Sequence, residues 1–146
     1  MNIQTKFHGE KEINTDEIIK FSSGIPGFLD AKEFIVLPIE GTDLYVLQSI
    51  RSQQVAFIIT DPFLIFPQYE FDLTQEAIEA LEIQSENEVA TFVILTVKEP
   101  FQETTANLQA PVIINLNGKL GKQIILTNTS YTIRHRIVTL EKEVAK

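Results

Sequence analysis

The chain is a succession of short apolar runs, each closed by a turn signal. Phe34-Ile35-Val36-Leu37, Leu44-Tyr45-Val46-Leu47-Gln48-Ser49, Val55-Ala56-Phe57-Ile58-Ile59-Thr60 and Val112-Ile113-Ile114-Asn115-Leu116 are rich in β-branched and aromatic residues. Such residues favour strands. The runs end at Pro38, at the polar link Arg51-Ser52-Gln53-Gln54, at Asp61-Pro62 and at Asn117-Gly118. Proline cannot donate to a sheet ladder, and Asn-Gly suits a tight hairpin. About nine short strands and one helix are expected, closed as a small antiparallel β-barrel or a sandwich.

The remaining segments fit this frame. Asn2 to Phe7 alternates, with Ile3, Thr5 and Phe7 on one face, and Glu10 to Ile13 returns after the His8-Gly9 turn. Asn14-Thr15-Asp16-Glu17 suits either a helix cap or a turn, and a turn is preferred because Ile18, Ile19 and Phe21 then fit a short strand. Gly24-Ile25-Pro26-Gly27-Phe28 is a rigid bend that presents Phe28, since proline fixes the first corner and glycine accepts the second. One helical turn is expected over Leu29 to Lys32. Phe63, Leu64, Ile65, Phe66, Tyr69 and Phe71 form the densest apolar cluster, and Pro62 and Pro67 are expected to keep it irregular. It serves as core, or in part as an exposed adhesive edge.

The single expected helix runs from Gln75 to Leu81 behind a capping sequence, Asp72-Leu73-Thr74-Gln75. Ala77, Ile78 and Leu81 share its inner face, and Glu76, Glu79 and Glu82 point to water. Glu88 to Val97 is the longest strand candidate. Thr104 to Pro111 is a central polar loop, Leu120 to Leu126 returns along Val112 to Leu116, and Tyr131 to Val138 is a last strand or arm. Glu141 to Lys146 is expected to be a frayed tail.

At 146 residues the chain is most simply one domain spanning 1–146, large enough for its own core. It has no cysteine, which rules out disulfides and thiolate chemistry. The N-terminus lacks a signal-peptide pattern and no run is long enough to span a membrane, so a cytoplasmic location is expected. Net charge is −8, and the acidic residues are concentrated before residue 106. An acidic body argues against direct nucleic-acid binding and for a basic partner. Simple solubility is the competing account.

A catalytic set does not assemble. His8 and His135 lack zinc spacing, and Arg134 and Arg136 flank the second. No serine sits in a nucleophile motif, and Gly24-Ile25-Pro26-Gly27 is not followed by the Lys-Ser or Lys-Thr of a phosphate loop. Lys119, Lys122, Arg134 and Arg136 form the one basic region, with Tyr131 as the single aromatic for stacking. No metal or cofactor is expected.

Six motifs occur in order: Gly24-Ile25-Pro26-Gly27-Phe28, Leu47-Gln48-Ser49, Asp61-Pro62, Phe66-Pro67-x-Tyr69, Thr105-Ala106-Asn107-Leu108-Gln109-Ala110-Pro111 and Gly121-Lys122-Gln123. As an ordered set they resemble the bacterial flagellar assembly factor FliW family from end to end. The resemblance implies a β-barrel-like fold and no enzyme activity. It implies binding to CsrA, an RNA-binding translational regulator, whose repression of flagellin messenger RNA is thereby relieved. Flagellin is implied as the competing partner. Expected protein-binding residues are Tyr69, Glu70 and Phe71, the loop residues Asn107, Leu108, Gln109 and Pro111, and Glu76 and Glu79 for long-range attraction. A turn's own need for Asn and Pro is the competing account of that loop. A small-ligand-binding β-barrel is the alternative function, and a deep apolar pocket with convergent polar groups would mark it.

Overall fold

The computed structural model describes residues 1–127 and 129–137. Among these, eleven strands occur: β1 (Asn2–Gln4), β2 (Glu10–Glu12), β3 (Ile19–Lys20), β4 (Glu33–Pro38), β5 (Leu44–Ser49), β6 (Ala56–Thr60), β7 (Val89–Thr96), β8 (Thr105–Ala106), β9 (Val112–Asn115), β10 (Leu120–Gln123) and β11 (His135–Arg136). Two short α-helices accompany them, α1 (Pro62–Ile65) and α2 (Gln75–Ala80). Strands β3, β4, β5, β6, β7, β9 and β10 close into a seven-stranded barrel, because β7 pairs with both β6 and β9. The β1–β2 hairpin stands apart, and β8 and β11 extend the sheet beyond β7.

The apolar runs are continuous rather than alternating because the strands are buried on both faces. Phe34, Leu47, Ile59, Val112 and Ile114 point into the barrel, where Phe21 and Ile25 join them. Their neighbours in sequence turn outward into other cores. Ile35 and Leu37 pack with Ile3, Ile13 and Ile50 under the β1–β2 hairpin. Val93 and Leu95 pack with Tyr69, Ala106, Leu108, Leu126 and Ile137 on the opposite side. Period-two geometry thus sends one strand's residues into two separate interiors. Gly121 is required at the barrel wall, since a Cβ there would overlap the ring of the fully buried Phe21.

The mainly β, barrel-like expectation holds, with several corrections. The barrel is mixed rather than purely antiparallel: Leu120 of β10 pairs in parallel with Lys20 of β3. There are two α-helices, not one. Pro62 does not prevent the first but starts it, because Asp61 accepts a hydrogen bond from the Phe63 N–H at 2.8 Å and proline suits the first helical position. Asn14 also caps a 3₁₀ turn over Thr15–Glu17 rather than making a simple turn. Ala31 N–H bonds to the Phe28 carbonyl in a tight turn, and no helical turn forms over Leu29 to Lys32. The left-handed residue between β9 and β10 is Lys119, at φ 56°, so Asn117-Gly118 is not a two-residue hairpin turn. Strand β10 ends at Gln123, and the final strand covers only His135 and Arg136. Val138 and the expected tail lie outside the described residues.

Candidate functional site

The segment after α1 carries Tyr69, Glu70 and Phe71 across the core that holds Val93, Leu95 and Leu108. Tyr69 is 2% exposed, and its hydroxyl donates to the Leu108 carbonyl at 2.7 Å. The Tyr131 ring lies 4.7 Å away between centroids, and the Phe71 ring 5.4 Å. The Tyr131 hydroxyl accepts the Glu70 N–H at 3.0 Å. Burial, and then the neighbouring Tyr131, push the Tyr69 hydroxyl well above its ordinary pKa. That makes it a hydrogen-bond donor and not a base.

The Asn107–Pro111 loop is held from three sides. Asn107 accepts at its side-chain oxygen from the N–H groups of Gln109 and Ala110, at 3.2 and 3.1 Å. This is an Asx turn, which an asparagine makes with its own following backbone. Tyr69 holds the Leu108 carbonyl, and Leu108 N–H donates to Thr132 at 3.0 Å. Gln109 and Pro111 carbonyls accept from Leu126 and Ile124. Leu108 and Pro111 are buried, whereas Asn107 and Gln109 are half-buried.

Helix α2 presents the remaining expected residues. Thr74 caps it by accepting the Ala77 N–H, and Ala77 and Leu81 are buried beneath. Glu76 and Glu79 are exposed on its outer side. The helix ends with Glu82 in the left-handed conformation at φ 54°. Ile83 N–H reaches back to the Ile78 carbonyl and Glu82 N–H to Glu79, a six-residue closure typical of helix C-termini. The side chain of buried Asn115, on β9, donates to the Leu81 and Glu82 carbonyls at 2.8 and 3.2 Å. Its oxygen accepts from Asn117 and Gly118. One asparagine thus fastens α2 to the β9–β10 turn.

Two open grooves meet at the ridge Glu70–Asp72. One, of about 980 Å³, runs between this ridge and residues 122–131. The other, of about 530 Å³, runs between the ridge, α2 and the barrel wall. The expected residues therefore divide: Glu70 and Phe71 line both grooves, Glu76 lines the larger, Glu79 lines neither, Leu108 is bonded to Tyr69 beside the ridge, and Gln109 and Pro111 are bonded to Leu126 and Ile124. Neither Asn115 nor the groove residues Ile83, Glu86 and Thr91 carry a local motif. Only their contacts across the fold reveal them.

Charge is segregated along the chain. From Ser52 to Val97 the chain holds eight carboxylates and no Lys, Arg or His. Among the described residues the one ion pair, Arg51 with Glu33 at 2.9 Å, lies outside that stretch. No group of three or more metal-ligating side chains occurs among the described residues. His8 sits 3.0 Å from the Pro38 carbonyl, and His135 packs on Phe66. No described helix is long and apolar enough to cross a membrane.

The FliW protein family model matches residues 2–137. The chain belongs to the FliW family. It is 50% identical over 137 residues to the flagellar assembly factor FliW of Geobacillus thermodenitrificans, covering 94% of this chain and 95% of that one. The Bacillus subtilis relative is 46% identical over 138 residues, at 94% and 96% coverage. A crystal structure of the flagellar assembly factor FliW superposes with a TM-score of 0.91 at 49% identity, over 94% of this chain and 96% of that one. FliW is a non-enzymatic family of flagellar assembly factors, which accounts for the lack of a catalytic arrangement among the groups described above.

Proposed function

We propose that this protein acts in flagellar assembly by binding CsrA in the cytoplasm and preventing it from repressing flagellin messenger RNA. Flagellin competes for it, so that export of flagellin frees the factor to capture CsrA. The observation that carries the proposal, given the family, is the carboxylate array between Ser52 and Val97, unpaired with any cation among the described residues. A regulator that grips RNA must offer a basic surface. An acidic protein is steered toward such a surface and repels the phosphate backbone once docked. Glu70 and Phe71 with Glu76 and Glu79 form the proposed contact region, and buried Tyr69, bonded to Leu108 of the Asn107–Pro111 loop, holds it in shape. A small-ligand barrel would instead need polar groups converging inside a closed pocket. Both large hollows here are open grooves with carboxylates on their margins.

Glu76→Lys/Glu79→Lys tests the reading by calorimetric titration against CsrA. Both residues are exposed, so the fold is retained. The double variant is expected to bind about tenfold more weakly, chiefly through slower association. Unchanged affinity would remove the electrostatic account, and absence of wild-type binding would remove CsrA as the partner.

A further inference from the structure

The two grooves share Glu70 and Asp72, and each has a third carboxylate, Glu76 in the larger and Glu86 in the smaller; they differ in that the larger also carries a cation, Lys122, and the smaller carries none. The floor of the smaller groove is Phe71, Leu73, Ile78, Ile83, Val89 and Ile113. Glu70, Asp72 and Glu86 stand exposed around it, and no Lys, Arg or His lines it. The larger groove has Lys122 on one wall and the polar Thr127, Thr129 and Ser130 along it. An apolar floor is filled only by apolar side chains, because a buried polar group without a partner is costly. A ring of carboxylates excludes phosphate-bearing occupants and attracts cations. The three carboxylate residues are exposed and the cleft is open along its length, which suits a chain segment lying along it more than an enclosed small molecule.

We infer that the cleft between α2 and strands β7 and β9 is the docking site for a short apolar peptide segment flanked by Lys or Arg, carried by a protein partner. The inference rests on the partner-binding reading above and adds the seat and the chemistry of what fills it. Ile78 and Ile83 are the two ends of the helix closure that Asn115 holds, so the floor is preformed. Apolar anchors of the partner enter between them and Val89, and flanking cations meet Glu70, Asp72 and Glu86.

The probe is a fluorescein-labelled synthetic peptide with leucines flanked by lysines. One twin carries Glu for every Lys, and a second carries Ser for every Leu. Anisotropy titrations use the wild type, Glu86→Lys, Leu73→Ser and, as a control in the other groove, Lys122→Glu. The Lys-flanked peptide is expected to bind, and each twin to bind at least about tenfold more weakly. Glu86→Lys and Leu73→Ser should each weaken it several-fold, whereas Lys122→Glu should not. Amide shifts in NMR spectra of the wild type should cluster at Ile78, Ile83, Val89 and Thr91, and the Glu86→Lys spectrum verifies that this exposed substitution leaves the fold intact. Equal binding of the Glu twin, shifts centred on residues 123–131, or no binding of the Lys-flanked peptide would overturn the inference. CsrA titrations of the same proteins separate the two proposals. If the peptide docks and CsrA does not, the partner assignment falls and the cleft stands. If CsrA binds wild type and Glu86→Lys equally, the cleft assignment falls and the CsrA reading stands.

Discussion

Tyr69 donates its hydroxyl to the Leu108 carbonyl from an almost fully buried position. Tyr69→Phe keeps the ring packing and removes that bond, leaving a buried carbonyl unpaired, which costs about 1 kcal/mol. The same hydroxyl sets an alkaline limit. Unfolded, it ionises near 10.0, and in the fold its pKa is raised. Its contribution is therefore intact below pH 10 and lost as pH rises toward the raised value, because the unfolded chain releases the proton first. Urea melts of Tyr69→Phe should show lower stability at pH 7 and a shallower decline above pH 10 than the wild type. Asn115 is the second such residue. Asn115→Ala leaves two helix-end carbonyls and two turn N–H groups without partners. A loss of about 3 kcal/mol in urea unfolding is expected, with early hydrogen exchange in α2. The Asn107 turn was legible in sequence because an Asx turn is local. The Tyr69–Leu108 bond spans 39 residues and the Asn115–Leu81 bond 34, so no local pattern announces them.

Among the elements, the longer strands are legible and their partition is not, and the expected loop Thr104 to Pro111 in fact includes strand β8, which pairs with β7. Continuous apolar runs identify buried strands but do not say that alternate residues enter different cores, as Ile35 and Phe34 do. Helix α1 was missed because proline was read as a breaker, when Asp61 makes it a starter. The parallel pairing of β3 with β10 joins residues distant in sequence, which turn chemistry cannot foretell. Helix α2 is legible from its capping sequence and apolar face, although the residue that caps it is Thr74 and not Asp72. Its end carries a cost, since Glu82 holds a left-handed backbone that glycine adopts without penalty. Glu82→Gly is expected to raise stability by about 1 kcal/mol in denaturant melts, and a loss of stability would show that the Glu82 side chain contributes packing that the closure needs.

For the whole molecule, net charge and its segregation decide behaviour. The eight carboxylates between Ser52 and Val97 repel one another with no cation among them. Salt screens that repulsion. Raising ionic strength from low to physiological should therefore raise the thermal midpoint by a few degrees in calorimetry, and a falling midpoint would show net attraction instead. The same salt should weaken capture of a basic partner, so stability and binding respond in opposite directions. Fold and family were both within reach of the sequence, since an ordered set of motifs runs from Gly24 to Gln123. The grooves were not, because their walls come from α2, β7, β9 and the Glu70–Asp72 ridge together. In the proposed function, this acidic barrel takes CsrA away from RNA and yields to flagellin. The most direct test is to titrate the protein into CsrA already bound to flagellin leader RNA, at several salt concentrations, and then add flagellin. RNA release that flagellin reverses, and that fades as salt rises, is the predicted result. RNA that stays bound, or release indifferent to flagellin and salt, would contradict the account.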